Sequence, residues 1–180
     1  MRTLSALTAF VVTLTVASPL LFAMDRDKEG YFHTGEGIRT KKVAFIHVKV
    51  YAIEHAMKEL PAAKTKQAVI DANVDKKFSW KMLRSVDAEK IRNALKEAYA
   101  KNNYGDAGKI ESLLKPIASE LKEGSSVTIK YDAATQKTTL VAEGTQASVQ
   151  GEDFMKATWS IWFGNIDQPT LSDSLITDLK

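Results

Sequence analysis

The 180-residue chain contains no cysteine, and this absence excludes the most. No disulfide can staple the fold, no thiol can act as a nucleophile, and a zinc site would need carboxylates in place of thiolates. Histidine is scarce as well: His33, His47 and His55 form no HExxH pattern, so no metal and no cofactor is expected. A surplus of one charge is also missing. The 25 basic and 22 acidic residues alternate without a basic block or an aromatic-interleaved patch, which excludes a nucleic-acid surface. There is no GxSxG elbow for a hydrolase, and HTGEGIR (33–39) lacks the Lys and Ser/Thr that would follow the glycines of a phosphate loop.

One long apolar run is present, at the N-terminus. Arg2 precedes Leu4 to Ala23, and the charged cluster Asp25 to Glu29 follows. This is a secretory signal pattern with cleavage expected after Ala23, leaving a single domain over 24–180 that resides in the periplasm or is secreted. An uncleaved anchor is the alternative, since about 20 apolar residues span a bilayer. Threonines, serines and Pro19 within the run argue for cleavage.

Beyond the leader, the apolar pattern changes period along the chain. Residues 43–53 alternate with period two, placing Ala44, Ile46, Val48, Val50 and Ala52 on an aliphatic face opposite Phe45, His47, Lys49 and Tyr51. The spacing predicts a strand with its aliphatic face toward the core. A second strand is predicted over 77–83, with Phe78, Trp80 and Met82 on one side. Asp87 is placed to cap a helix carrying Ile91, Leu95, Ala98 and Tyr99, and a further helical stripe runs from Ala107 to Leu121 with a kink or restart near Lys115, before Pro116. LPAAKTKQAV (60–69) reads as a surface helix or loop.

Three β-rich runs follow, at 127–131, 138–142 and 147–150, and read as antiparallel hairpins. Asp153 is expected to cap a helix that Gly164 ends in a left-handed conformation, and a last helix is expected over 170–179. Strands and helices do not alternate as βαβ units. The class is therefore α+β, an antiparallel sheet faced by helices.

Few residues stand out chemically. His47 and Lys49 share a strand face and could hold an anion, although a solvent-facing strand gives the same pattern. Trp159 and Trp162 lie three apart on a helix and read as core. Arg39 stands before the long alternating run, where its guanidinium could hold a carboxylate bidentately, or could simply sit exposed beside Lys41 and Lys42. Arg84, at the end of the second strand, is a second candidate on the same terms.

The motifs GEGIRTKKVAFIHVKVYAIE, FSWKMLRSVDAEKIRNAL, GSSVTIKYDAATQKTTLVAEG and GEDFMKATWSIWFG occur in that order between Gly35 and the C-terminal region. Together they resemble the chalcone isomerase-like family, particularly its exported bacterial branch. The resemblance implies an open-faced β-sandwich, a curved antiparallel sheet with helices packed on one face and a ligand cleft between them. It also implies that Arg39 faces the cleft, as does the arginine that holds a ligand carboxylate in fatty-acid-binding relatives. The isomerase pattern is broken here: Ile46 or a neighbour stands where a strand threonine belongs, and no tyrosine lies near Ser85 to Lys90.

Three functional readings follow. The first is a non-catalytic binder of a fatty acid or similar small apolar carboxylate, using Arg39 and Arg84. The second is an isomerase acting on a chalcone-like α,β-unsaturated ketone, with Tyr51, Tyr99 or Tyr104 replacing the missing hydroxyls. The third is an envelope interaction protein without a small ligand.

Overall fold

The structure is a computed structural model and describes residues 26–179; the expected leader lies outside them. Among the described residues no helix is long and apolar enough to cross a membrane. Six strands of the described residues form one antiparallel meander in sequence order, β1 (Phe32–Val43), β2 (Ile46–Met57), β3 (Lys76–Met82), β4 (Ser126–Asp132), β5 (Lys137–Ala142) and β6 (Thr145–Gln150). Among the described residues, five helices complete the fold: α1 (Lys66–Asp71), α2 (Ala88–Lys101), α3 (Ala107–Leu114), α4 (Glu152–Phe163) and α5 (Pro169–Ser174).

The helices cover one face of the sheet. That face carries Phe78, Trp80 and Met82 from β3, Val127, Ile129 and Tyr131 from β4, and Leu140 and Ala142 from β5, all buried. Helix α4 crosses its middle, flanked by α1 and α2, while α3 lies over β5 and β6 and α5 lies along β1. The other face stays polar and wetter. There Lys77 and Lys130 reach Asp27 and Glu29 of the segment leading into β1.

Burial along β2 departs from the simple alternation that the sequence suggests. Arg39 pairs with Tyr51, but Thr40 pairs with Lys49, which leaves Val50 as an extra residue, a β-bulge. A bulge exchanges the two faces of a strand. Val48 and Val50 therefore turn toward the helix side before it, whereas after it the odd-numbered Tyr51, Ile53, His55 and Met57 are the buried set. Residues 43–45 are also not mid-strand: β1 and β2 are joined there by a turn in which Ala44 takes a φ of 52°.

Other local expectations hold only in part. Helix α4 starts behind Gly151, so Asp153 lies in the first turn and pairs with Lys109 instead of capping. Gly164 follows α4 at φ −94° and is not left-handed. The helical stripe stops at Leu114 before the buried Pro116, and the last helix ends at Ser174, beyond which only turns continue to Leu179. The stretch 60–69 leads into α1, capped by Thr65, which buries Val69 and Ile70.

Candidate functional site

A cleft of about 700 Å³ lies between the Val48–Tyr51 part of the sheet, helix α2 and the end of α4. Its apolar lining comes from Val48, Val50, Trp80, Ile91, Leu95 and Ile161. Helix α2 reaches it because Asp87 accepts the first orphan amides, from Glu89 at 2.8 Å and Lys90 at 3.4 Å, and fixes where the helix starts. Its apolar stripe then faces the sheet and the cleft. Exposed charged residues, among them Lys41, Arg84, Lys90, Glu97 and Lys101, form its rim. A space of this size with an apolar interior suits a small organic ligand.

The first strand explains how an arginine comes to sit there. Gly35, Gly37 and Arg39 alternate on the helix-facing side of β1. A Cβ on Gly35 would stand 2.2 Å from the Ser174 backbone oxygen, and one on Gly37 would stand 2.6 Å from Leu171 Cδ1. The two glycines thus let α5 lie against the strand. The next inward residue, Arg39, emerges just past the helix, at the cleft edge. GEGIR is a docking groove that ends in a cation.

Arg39 is already engaged. Its Nη2 lies 2.6 Å from Asp167 Oδ1, and its Nη1 donates to Gln168 Oε1 at 3.3 Å. Gln168 is fixed in turn, since Oε1 accepts from the Thr40 amide at 2.9 Å and Nε2 donates to the Ile38 carbonyl at 2.9 Å. The arginine side chain is only 19% exposed, whereas Asp167 is 43% exposed. Burial alone would raise the Asp167 carboxyl pKa, but the charge and hydrogen bond of Arg39 outweigh it and hold it below the ordinary value. A guanidinium has five donors, so Arg39 retains capacity for a further oxygen.

The structure places Arg84 on the wall of the same cleft, as an exposed side chain at the mouth. The two arginines singled out in the sequence thus line one space. Of the tyrosines, Tyr51 lines it, and its hydroxyl accepts from Trp162 Nε1 at 3.2 Å. Its ring stacks on Trp80 at 4.8 Å and 9°. Burial raises the Tyr51 phenol pKa, so the hydroxyl stays protonated and can donate. Tyr99 is committed to Thr158 Oγ1 at 2.8 Å, and neither it nor Tyr104 lines the cleft. Ile46 also does not line it, being 65% exposed at the hairpin tip.

Trp80 adds a feature without a sequence signal. It lies on the cleft wall at 2% exposure, and its Nε1 has no hydrogen-bond partner within the protein. A buried N–H without an acceptor is costly. Asp167 and Gln168 were equally hidden: they lie 128 and 129 residues from Arg39, in a loop with no motif.

Farther along the same strands is a second polar cluster, sealed from solvent. Trp159 Nε1 donates to His55 Nε2 at 2.9 Å, so the proton of the neutral ring is on Nδ1 and points at Thr34 Oγ1, 2.6 Å away. The Thr34 hydroxyl donates in turn to the Leu175 carbonyl at 2.9 Å. Burial, and then the charge of Lys76, hold the imidazole pKa well below 6.5. Lys76, fully buried, donates to the carbonyls of Val69, Ile70 and Ala72 at 2.7, 3.1 and 2.8 Å, closing the C-terminus of α1. Burial lowers its pKa to about 7, but a neutral amine has only two N–H bonds for three acceptors, so this geometry requires the ammonium.

Comparison with known proteins agrees with this architecture. A fatty-acid-binding protein of Arabidopsis thaliana superposes with a TM-score of 0.69 at 14% identity, over 84% of this chain and 89% of that one. At that identity the likeness concerns the fold. No curated protein matches the chain in sequence. The family model for chalcone isomerase-like proteins matches residues 25–175, nearly all of the curved sheet and its helices, and the chain belongs to the chalcone isomerase-like family.

Proposed function

We propose that this protein binds a fatty acid or a similar apolar carboxylate, with the tail in the cleft between sheet and helices and the head at Arg39. The observation that carries the reading is a largely buried guanidinium at the edge of a cleft whose buried lining is apolar and whose exposed rim is charged. The solved relative that binds fatty acids adds support from the shared fold. Asp167 competes for the same guanidinium. A ligand carboxylate displaces it, and the half-exposed aspartate turns to water at little cost. Arg84 closes over the mouth as a second cation, and Trp80 Nε1 offers a donor to a ligand oxygen in the wall. The N-terminal apolar run supports export, and with it binding outside the cytoplasm, which fractionation and N-terminal sequencing of the native protein test directly.

The test is mass spectrometry of organic extracts from protein purified from its native host, wild type against Arg39→Ala. A carboxylate carried by the wild type and absent from the variant is the expected result, and two empty proteins would overturn the reading. Tyr51 supports a second reading, catalysis, because it lines the cleft and pairs with Arg39 across β1 and β2. Cyclisation of an added chalcone no faster than in buffer removes it.

A further inference from the structure

The β1–β2 hairpin outruns the sheet. β3 pairs with β2 only from Tyr51 onward, so residues 40–49 form a two-stranded ribbon without a third strand. At its tip Phe45 is 97% exposed, Ile46 65% and Val43 54%. The fourth large exposed hydrophobic residue among the described residues, Ile38, lies farther back on β1 opposite Ala52, so the most exposed apolar side chains are collected at the tip. Behind the tip stand Lys41, Lys42 and Lys49, and residues 37–53 include no acidic residue.

An apolar tip within a collar of lysines is the pattern of a segment that dips into the headgroup region of a bilayer while its cations meet anionic lipid. A second copy of the chain is a poor fit, since it would bring lysines against lysines. The arms of the ribbon are also walls of the cleft, through Lys41, Val43 and Val48. Docking the tip would bring the cleft mouth to the lipid surface. We infer that the β1–β2 hairpin is a membrane-docking finger for anionic bilayers. The inference rests on the exposed tip and its charge, and it stands whichever ligand the cleft takes.

The test is sedimentation of the protein, as recovered from cells, with vesicles of phosphatidylcholine alone and with 30% phosphatidylglycerol. Comparing variants in the same form cancels any contribution from the N-terminal run. Binding should require phosphatidylglycerol, weaken with salt, fall about tenfold in Phe45→Ser and fall on the order of a hundred-fold when Lys41, Lys42 and Lys49 become Gln. Because the chain has no cysteine, Phe45→Cys accepts a single environment-sensitive dye. Its emission should shift to the blue on anionic vesicles, and that of a dye at Ala134→Cys, in the turn at the opposite end of the sheet, should not. Equal binding by all variants, or binding that ignores lipid charge, overturns the inference. So does a Phe45→Ser variant that loses self-association and leaves vesicle binding intact, which would make the tip an interface between copies.

Discussion

Strands β2 and β3 contribute polar and aromatic residues at both of their ends, and the two ends are finished differently. At one end, His55 and Lys76 use every hydrogen-bonding atom they have, against Trp159, Thr34 and three carbonyls of α1. At the other, Tyr51 and Trp80 stack beside an open cleft, the indole N–H of Trp80 has no partner, and Arg39 is held by an aspartate that faces water. The same inward face is built for packing at the first end and left incomplete at the second. Fully partnered polar groups fix a unique arrangement. Unspent donors beside a cavity are what a ligand can use.

Substitutions at the two ends should therefore separate stability from binding. The largest effect is expected at the sealed end. Trp159→Ala removes a fully buried indole and strips His55 of its donor, and should cost about 3–5 kcal/mol in urea unfolding. A loss below about 1 kcal/mol would mean that the cluster is not the anchor it looks like. Arg39→Ala should do the reverse, lowering affinity for a long-chain carboxylate ten- to a hundred-fold, about 1.5–3 kcal/mol, while unfolding changes little. If the variant unfolds as readily as Trp159→Ala, the contrast between the ends collapses.

The third comparison uses pH. His55 is neutral in the fold with its pKa held well below 6.5, so below that pH the unfolded chain binds a proton that the folded chain refuses. The His55 contribution to stability should be constant above pH 6.5 and be lost as pH drops below it, by up to about 1.4 kcal/mol per unit. Lys76, with a pKa of about 7, is charged in both states well below neutral pH and adds no slope there. Nuclear magnetic resonance of the His55 ring provides the check, and a ring titrating near 6.5 would refute it. The smallest effect belongs to the cleft edge. Asp167→Asn removes the competing carboxylate from Arg39 and should tighten binding of an anionic ligand by about three- to tenfold, measured by fluorescent fatty-acid displacement. Weaker binding would make Asp167 part of the ligand's own support.

Much of this was legible in short-range pattern. The alternation at 77–83, the stripe behind Asp87 and the hairpins after Gly124 correspond to β3, α2 and β4–β6, because each depends on neighbours within a few residues. Arg39 stood out because of the glycines before it, whose purpose is contact with a helix more than 130 residues later, at Leu171 and Ser174. The burial of β2 was misread because a bulge at Val50 swaps the faces of a strand without altering its alternation. Nothing marked His55 as core or Lys76 as a helix cap: both are ordinary polar residues in strand positions, and their partners lie in other elements.

The sequence by itself determined the class of fold, most of the strands and helices that follow β1, and the absence of thiol chemistry, since these follow from composition and local periodicity. Only the tertiary structure decided which face of β2 is buried, which donors are spent and which stay free, and that Arg39, Arg84 and Tyr51 share one cleft. Those outcomes depend on a one-residue slip in register and on where α5 and the loop behind α4 come to rest, and pairings across more than a hundred residues leave no trace in a local pattern.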